Sequence, residues 1–164
     1  SRVALGDLNG DGALDLVLSS ASGAFIEAGR PYTRILINRD GTGIFDDMTD
    51  TLMPAVAGDE VWQANGLLLA DMDRDGDLDI VLTTTDTDVT DTKAGTRVLL
   101  NNLDDDGAFE EAAEGIFVPP QDGPELWQGD LVLSGDLNGD GLPDLVISED
   151  NDATDPATRI LFRK

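Results

Sequence analysis

The chain of 164 residues contains no cysteine and no histidine. It therefore has no disulfide, and it cannot form a Ser-His pair, a Cys-His pair or a histidine-ligated metal site by itself. Carboxylate pairs remain as acid–base candidates, namely Asp46-Asp47, Asp104-Asp105-Asp106 and Glu110-Glu111. Because these acids adjoin turns, we interpret them as solvated loop residues. We assign no catalytic residue and expect no enzyme activity from this segment itself.

Basic residues are also scarce. Ten Lys and Arg stand against 34 Asp and Glu, which gives a formal net charge of −24. Such a charge repels the phosphates of nucleic acids and anionic lipids, so neither is expected as a partner. The sequence also lacks an apolar run of the roughly 20 residues that a membrane-spanning helix needs. We therefore expect no membrane insertion.

What the sequence does have is a nine-residue acidic motif that occurs three times, starting at Asp7, Asp71 and Asp136. The starts lie 64 and 65 residues apart (71 − 7 and 136 − 71). Oxygen-bearing side chains stand at motif positions 1, 3, 5 and 9, with glycine at position 6. Calcium ions are bound in this way in proteins. A solvated acidic turn is the alternative, but three copies in phase favour a cation site.

The side chains expected to bind the cations are Asp7, Asn9, Asp11 and Asp15, then Asp71, Asp73, Asp75 and Asp79, then Asp136, Asn138, Asp140 and Asp144. At position 7 we expect a backbone carbonyl ligand, from Ala13, Asp77 or Leu142. The glycine at position 6 permits the sharp reversal that closes such a loop.

An EF-hand loop would need a glutamate at position 12. Here that position is Leu18, Leu82 or Ile147, and each lies in a run of branched apolar residues. Such runs indicate β-strands rather than an exiting helix. The motif is therefore predicted to be a loop that leads into a strand, with the ninth-position aspartate at the start of that strand.

Other landmarks keep the same period. Trp62 and Trp127 each precede a motif by nine residues, and Phe45 and Phe109 each follow a motif start by 38. An Arg-led apolar run also recurs, at 33–37, 96–100 and 158–162. Each repeat therefore has four strand-like segments, which predicts four-stranded antiparallel blades. We expect the tryptophans to pack between blades and the arginines to pair with nearby carboxylates.

The motif and the strand that follows it resemble the FG-GAP/VCBS-type repeats of integrin α-subunit propellers and of secreted bacterial proteins. The resemblance implies an all-β β-propeller whose blades bind structural Ca²⁺. It assigns three calcium ions, one to each motif, and it places the ligands on the residues at positions 1, 3, 5 and 9 named above.

The length predicts part of a propeller. The repeats span approximately 1–61, 62–126 and 127–164, which is about two and a half blades without an internal domain boundary. Propellers have roughly four to eight blades. We therefore expect a segment of a longer polypeptide, whose partners are its remaining blades, or alternatively several copies that close a ring.

Three functions agree with these features. The first is a calcium-stabilised propeller segment of a secreted or cell-surface protein that serves adhesion or ligand recognition. The second is the propeller of a polysaccharide-acting enzyme whose catalytic residues lie elsewhere, and the third is a structural surface or filament subunit. The variable loops at 19–33, 83–96 and 148–158 are the expected place for a protein or carbohydrate ligand.

Overall fold

The computed structural model of the protein describes residues 1–20, 32–55, 62, 64–83, 96–103, 107–113, 116–118, 129–148 and 158–164. Their strands are β1 (Arg2–Gly6), β2 (Asp15–Ser19), β3 (Thr33–Asn38), β4 (Phe45–Asp47), β5 (Gly66–Ala70), β6 (Asp79–Thr83), β7 (Thr96–Leu100), β8 (Glu110–Glu111), β9 (Phe117–Val118), β10 (Leu131–Gly135), β11 (Asp144–Ser148) and β12 (Thr158–Arg163). Among the described residues, the helical elements with given bounds are a 3₁₀ turn (Arg39–Gly41) and the short helix α1 (Thr49–Leu52).

The strands form three antiparallel four-stranded sheets, called here sheets 1, 2 and 3. Sheet 1 has the order β1-β2-β3-β4, sheet 2 the order β5-β6-β7-β8, and sheet 3 the order β10-β11-β12-β9. Strand β5 lies between β1 and β10, so the first strands of the three sheets are neighbours in space. The predicted all-β class is confirmed. The described residues do not close a ring, and the number of blades stays a prediction.

Sheet 2 lies between the other two sheets, as the burial of its second strand shows by comparison with the second strand of sheet 1. Strand β6 (Asp79–Thr83) is buried at every residue, whereas β2 (Asp15–Ser19) alternates between buried and partly buried residues. Side chains of a strand alternate between the two faces of its sheet. A strand that is buried throughout must therefore be covered on both faces, and an alternating strand on only one.

Two apolar cores separate the three sheets. The core between sheets 1 and 2 includes Val17, Ile35, Ile80, Leu82 and Leu99. The core between sheets 2 and 3 includes Val81, Val98, Leu145, Ile147 and Leu161. Each core joins one face of a sheet to the opposite face of the next sheet along the chain. The two interfaces are therefore of the same kind, and sheet 2 presents one face to the preceding sheet and its opposite face to the following sheet.

The predicted strands agree with the structure, with two differences in the fourth strands. In the second repeat the expected strand from Phe109 is limited to β8, because only Glu110 and Glu111 pair with β7. In sheet 3 the fourth strand is β9, which precedes the third motif in sequence and pairs with the end of β12. Trp127, Asp104-Asp105-Asp106 and most of the three variable loops lie outside the described residues.

Candidate metal centre

The three acidic motifs form the turns between the first and second strands of the sheets. They are called here loop 1 (residues 7–15), loop 2 (71–79) and loop 3 (136–144). As predicted, the ninth-position aspartate is the first residue of the following strand in every case, namely Asp15, Asp79 or Asp144. The position-6 glycines have positive φ of 85°, 107° and 86°, at Gly12, Gly76 and Gly141. This backbone conformation favours glycine and closes the loop.

The side chains at positions 1 and 5 fold the loop by accepting hydrogen bonds from its own backbone. In loop 1, Asp7 Oδ2 accepts from Gly12 N (2.8 Å) and Asp11 Oδ1 accepts from Ala13 N (2.7 Å). In loop 3, Asp136 Oδ2 accepts from Gly141 N at 3.0 Å. Because each of these carboxylates keeps further lone pairs, it has free acceptor positions besides these hydrogen bonds.

The ninth-position aspartates are fully buried, each with an exposed fraction of 0%. Each accepts two backbone N–H groups, one from loop position 2 and one from the end of the third strand of its sheet. Asp79 accepts from Met72 N at 2.6 Å and from Asn101 N at 2.8 Å. This aspartate therefore fastens its loop to its sheet, in addition to any role as a ligand.

The equivalent bonds to Asp15 come from Leu8 N (2.9 Å) and Asn38 N (2.8 Å). Those to Asp144 come from Leu137 N (2.9 Å) and Arg163 N (2.9 Å). The three sheets thus repeat one arrangement.

Loop 2 brings three carboxylates together. One oxygen each from Asp71, Asp73 and Asp79 lies within 4.8 Å of the others. Burial raises the pKa of Asp79 to about 6. The backbone hydrogen bonds from Asn101 and Met72 lower this pKa, and the charges of Asp73 and Asp75 raise it further. The pKa of Asp73 is also raised, first by burial and then by the charge of Asp75. A divalent cation among these oxygens would offset the repulsion.

Loops 1 and 3 carry asparagine at position 3, and its amide changes the local electrostatics. Asn9 Nδ2 donates to Asp11 Oδ2 at 3.1 Å, and Asn138 Nδ2 donates to Asp140 Oδ2 at 2.8 Å. The pKa of Asp140 is lowered, first by the N–H of Leu142, then by Asn138 and by the nearby charge of Arg74. Among the described residues, the convergence of three carboxylates is found in loop 2 alone.

The other predicted ligands, which are Asp75 and the position-7 carbonyls, are not tested by the structure. Asp75 lies in loop 2 and accepts the N–H of Asp77 at 3.0 Å, but it is not part of the three-carboxylate group. The carbonyl groups expected as ligands belong to Ala13, Asp77 and Leu142, and their role stays a prediction.

Two buried asparagines, which lie outside the acidic motif and were not predicted from it, donate hydrogen bonds to the loops. Asn38 Nδ2 donates to Leu14 O in its own loop at 3.2 Å. Asn101 Nδ2 donates to Leu78 O of loop 2 at 3.1 Å and to Leu8 O of loop 1 at 2.8 Å. Asn101 therefore links two neighbouring loops. Both asparagines lie five residues after the threonine that starts the third strand, so the repeat period could have revealed them.

The arginines and the tryptophan that recur with the repeat period have structural contacts where the structure describes them. Arg34 pairs with Asp47 at 2.6 Å, and Arg97 pairs with Glu111 at 2.9 Å. The guanidinium of Arg97 also lies 3.6 Å from the ring centroid of Trp62, which is 3% exposed. The predicted roles in ion pairing and blade packing are therefore confirmed for these residues.

These features define a class of protein, an all-β chain of tandem four-stranded sheets, each with an acidic loop before its second strand. The comparison with protein families agrees, because residues 7–82 match the model of the FG-GAP-like repeat. That part of the chain, which includes loops 1 and 2 and strands β2 to β5, is similar to an FG-GAP-type repeat. Neither the curated proteins nor the solved structures gave a match.

Proposed function

We propose that loops 1, 2 and 3 each bind one Ca²⁺ ion and that these ions stabilise the sheets they adjoin. The donor set supports a hard cation, because every side-chain candidate offers oxygen and the chain has no cysteine or histidine. Calcium would be bound mainly by the folded protein, since the unfolded chain does not hold the ligands together. Its role would therefore be structural.

The observation that carries the proposal is the convergence of Asp71, Asp73 and Asp79 in loop 2. Burying a carboxylate beside other carboxylates disfavours its charged form, which agrees with the raised pKa of Asp79. Such an arrangement is typical of functional sites, where a specific ligand offsets the cost. The matching hydrogen bonds of loops 1 and 3 extend the proposal to all three.

The test is calorimetric titration of the metal-free chain with Ca²⁺, together with a crystal structure determined in calcium. We expect three ions, each with about six to eight oxygen ligands at roughly 2.3–2.6 Å. Asp71→Asn should remove or weaken one site, whereas the control Asp50→Asn changes an exposed acid of α1, outside the loops. No heat of binding, or an ion at about 2.1 Å with octahedral geometry, would contradict calcium.

The proposal extends to the wider role of the protein. A calcium-stabilised propeller segment suits a secreted or surface-exposed protein, because extracellular calcium fills sites of weak to moderate affinity. We infer adhesion or recognition of a protein or carbohydrate ligand, and we assign it to the variable loops of a rigid scaffold. Detection of the protein on intact cells of its source, and binding to arrays of glycans and surface proteins, test these two points. A strictly internal location would contradict the first.

No helix among the described residues is long and apolar enough to cross a membrane.

A further inference from the structure

Loops 1 and 2 are joined by a series of buried hydrogen bonds that runs between their ninth-position aspartates. Leu8 N donates to Asp15 Oδ2 at 2.9 Å, and Leu8 O accepts from Asn101 Nδ2 at 2.8 Å. Asn101 N in turn donates to Asp79 Oδ1 at 2.8 Å. All four residues are at most 2% exposed. Two prospective cation ligands in different repeats are therefore connected through only two other residues.

A packing contact joins the same two loops. A Cβ added at Gly6 would lie 2.6 Å from Leu78 Cδ1, so the Leu78 side chain lies directly against the backbone of Gly6. Leu78 precedes Asp79 in loop 2, and Gly6 precedes Asp7, the first residue of loop 1. Leu8, which follows Asp7, accepts the inter-loop hydrogen bond. The residues on both sides of Asp7 are therefore in contact with the structure around Asp79.

The equivalent position in sheet 3 has no side-chain amide. Asn101 lies five residues after Thr96, and the residue five positions after Thr158 is Arg163. Arg163 N keeps the backbone bond to Asp144 Oδ1, at 2.9 Å. Its Nη1 is buried without a hydrogen-bond partner in the described part of the chain. Among the described repeats, the link through a buried amide is therefore found between loops 1 and 2.

This link has a consequence for two neighbouring cation sites. Without cations, the like charges of each loop oppose its closed form. An ion in loop 2 would hold Asp79 in place, and with it Asn101 and the bonded carbonyl of Leu8. Loop 1 would then be ordered in part before its own ion binds, so less conformational entropy would be lost in the second binding step. Linkage requires the same effect in the reverse direction.

We propose that loops 1 and 2 bind Ca²⁺ cooperatively and that Asn101 couples them, an inference that rests on the calcium function proposed above. Loop 2 offers four carboxylates and should fill first. Its ion then strengthens binding at loop 1. The expected coupling factor is roughly fivefold, at the low end of measured couplings, because one buried hydrogen bond is its main carrier. Loop 3 lies outside this route.

Electrostatics alone predicts the opposite sign. An ion bound in loop 2 repels an ion approaching loop 1, and salt screens this repulsion. Asp71→Asn removes one negative charge and, with the site, a divalent ion, so loop 2 becomes more negative by one charge (2 − 1). If charge alone acts, loop 1 should then bind calcium equally or more tightly. If the coupling acts, loop 1 should bind more weakly, so the sign separates the two effects.

The test is a calcium titration followed by NMR at about 0.15 M salt, with the backbone amides of Gly12 and Gly76 as reporters of loops 1 and 2. We expect Asp71→Asn to raise the dissociation constant measured at Gly12 by roughly fivefold. An unchanged or lower constant, with both loops titrating in the unaltered chain, would overturn the coupling and leave the calcium sites in place. If neither glycine responds to calcium, the proposed function fails and the coupling fails with it.

A second pair of variants assigns the coupling to Asn101. Asn101→Ala removes the amide and keeps the backbone N–H, so in this background Asp71→Asn should change the Gly12 constant by less than about twofold. Asn38→Ala is the matched control, because Asn38 has the same position in sheet 1 but its amide donates to a carbonyl of its own loop. There the fivefold effect should remain.

A fivefold effect in both backgrounds would overturn the role of Asn101. Circular dichroism establishes that each variant is folded. If Asn101→Ala does not fold, the comparison of the unaltered chain with Asp71→Asn still decides whether loops 1 and 2 are coupled.

Discussion

The ninth-position aspartate of each loop joins a prospective ligand to the backbone of its sheet. In loop 2, both oxygens of Asp79 accept backbone N–H groups, from Met72 and Asn101, while one oxygen also belongs to the three-carboxylate group. A cation at that group would therefore be connected through a single side chain to the end of β7. Loss of the carboxylate would affect both the ligand set and the attachment of the loop.

The affinity of a loop for calcium should follow the number of its carboxylates. Loop 2 offers four, whereas loops 1 and 3 each offer three and an asparagine. We expect loop 2 to bind most tightly, because more ligand charge favours the cation. Calorimetry on Asp73→Asn should show weaker binding at that loop.

The reciprocal change, Asn9→Asp, should strengthen binding at loop 1, and it controls for the effect of substituting position 3 itself. If neither change alters the affinity, the rigidity of the loop rather than its charge sets the strength of binding.

The raised pKa of Asp79 predicts a pH dependence in the absence of divalent cations. With a folded-state pKa of about 6 and an ordinary value near 3.9, the folded protein holds the extra proton between these values. Its contribution to stability is present below about pH 4 and is lost as the pH rises through about 6. The loss is on the order of 2–3 kcal/mol.

Urea unfolding in chelator between pH 4 and pH 7 measures this effect as the difference between the unaltered chain and Asp79→Asn, which has no proton to exchange at that position. Equal pH slopes for the two proteins would mean that the carboxyl titrates at its ordinary pKa. With calcium bound, the direction should reverse, because the cation requires the charged form.

At the scale of the structural elements, Asn101 connects two repeats. Its amide donates to Leu8 O in loop 1 and to Leu78 O in loop 2, and the side chain is 1% exposed. Asn101→Ala leaves the buried carbonyl of Leu8 and the partly buried carbonyl of Leu78 without that donor, which should lower the free energy of unfolding by roughly 1–3 kcal/mol.

Chemical denaturation of Asn101→Ala and Asn102→Ala compares this residue with its neighbour, which is only partly buried. Equal losses for the two variants would show that the inter-loop bonds do not stabilise the fold. Weaker calcium binding at loop 1 is a second expected outcome for Asn101→Ala alone.

The sequence allowed the strands and loops to be predicted because both follow local rules. Branched apolar runs form strands, and the position-6 glycine meets the requirement for positive φ at Gly76 and its equivalents. The period also led correctly to the roles of Trp62 and Arg97. These predictions need only the spacing of residues within one repeat.

Contacts between repeats were harder to predict. The bond from Asn101 to Leu8 joins residues 93 positions apart, and no local pattern indicates which carbonyl a buried amide will reach. Arg74 is a second example, because it occupies a position with φ of 68° that is glycine in loops 1 and 3. Its guanidinium lies so close to loop 3 that a Cβ added at Gly141 would be 2.8 Å from Nη1. Both features depend on how neighbouring sheets are placed.

At the scale of the whole molecule, we expect the three proposed calcium sites to stabilise together a fold that has no disulfides. Removing the cations leaves like charges close together in each loop, which disfavours the closed loop. Thermal melts at fixed ionic strength should therefore show a lower Tm in chelator. At calcium of about 100 times the dissociation constant, each independent site adds roughly 2.7 kcal/mol as an upper value.

Limited proteolysis tests which part of the chain opens when the cations are removed. In chelator, loops 1 to 3 should be cut before the third strands, of which β7 is an example. Superimposable melts and unchanged cleavage sites with and without calcium would leave the loops as ordinary acidic turns.

The pairing of β9 with β12 has a consequence for the order in which the molecule assembles. Sheets 1 and 2 each take their four strands from one continuous stretch, in chain order. Sheet 3 instead takes its edge from Val118, which pairs with Phe162, 44 positions later (162 − 118). Closing such a long loop is entropically more costly than forming a hairpin, so this pairing should form late. During synthesis on the ribosome, β9 would wait as an unpaired edge until β12 emerged, and this interval would be the one most open to mispairing.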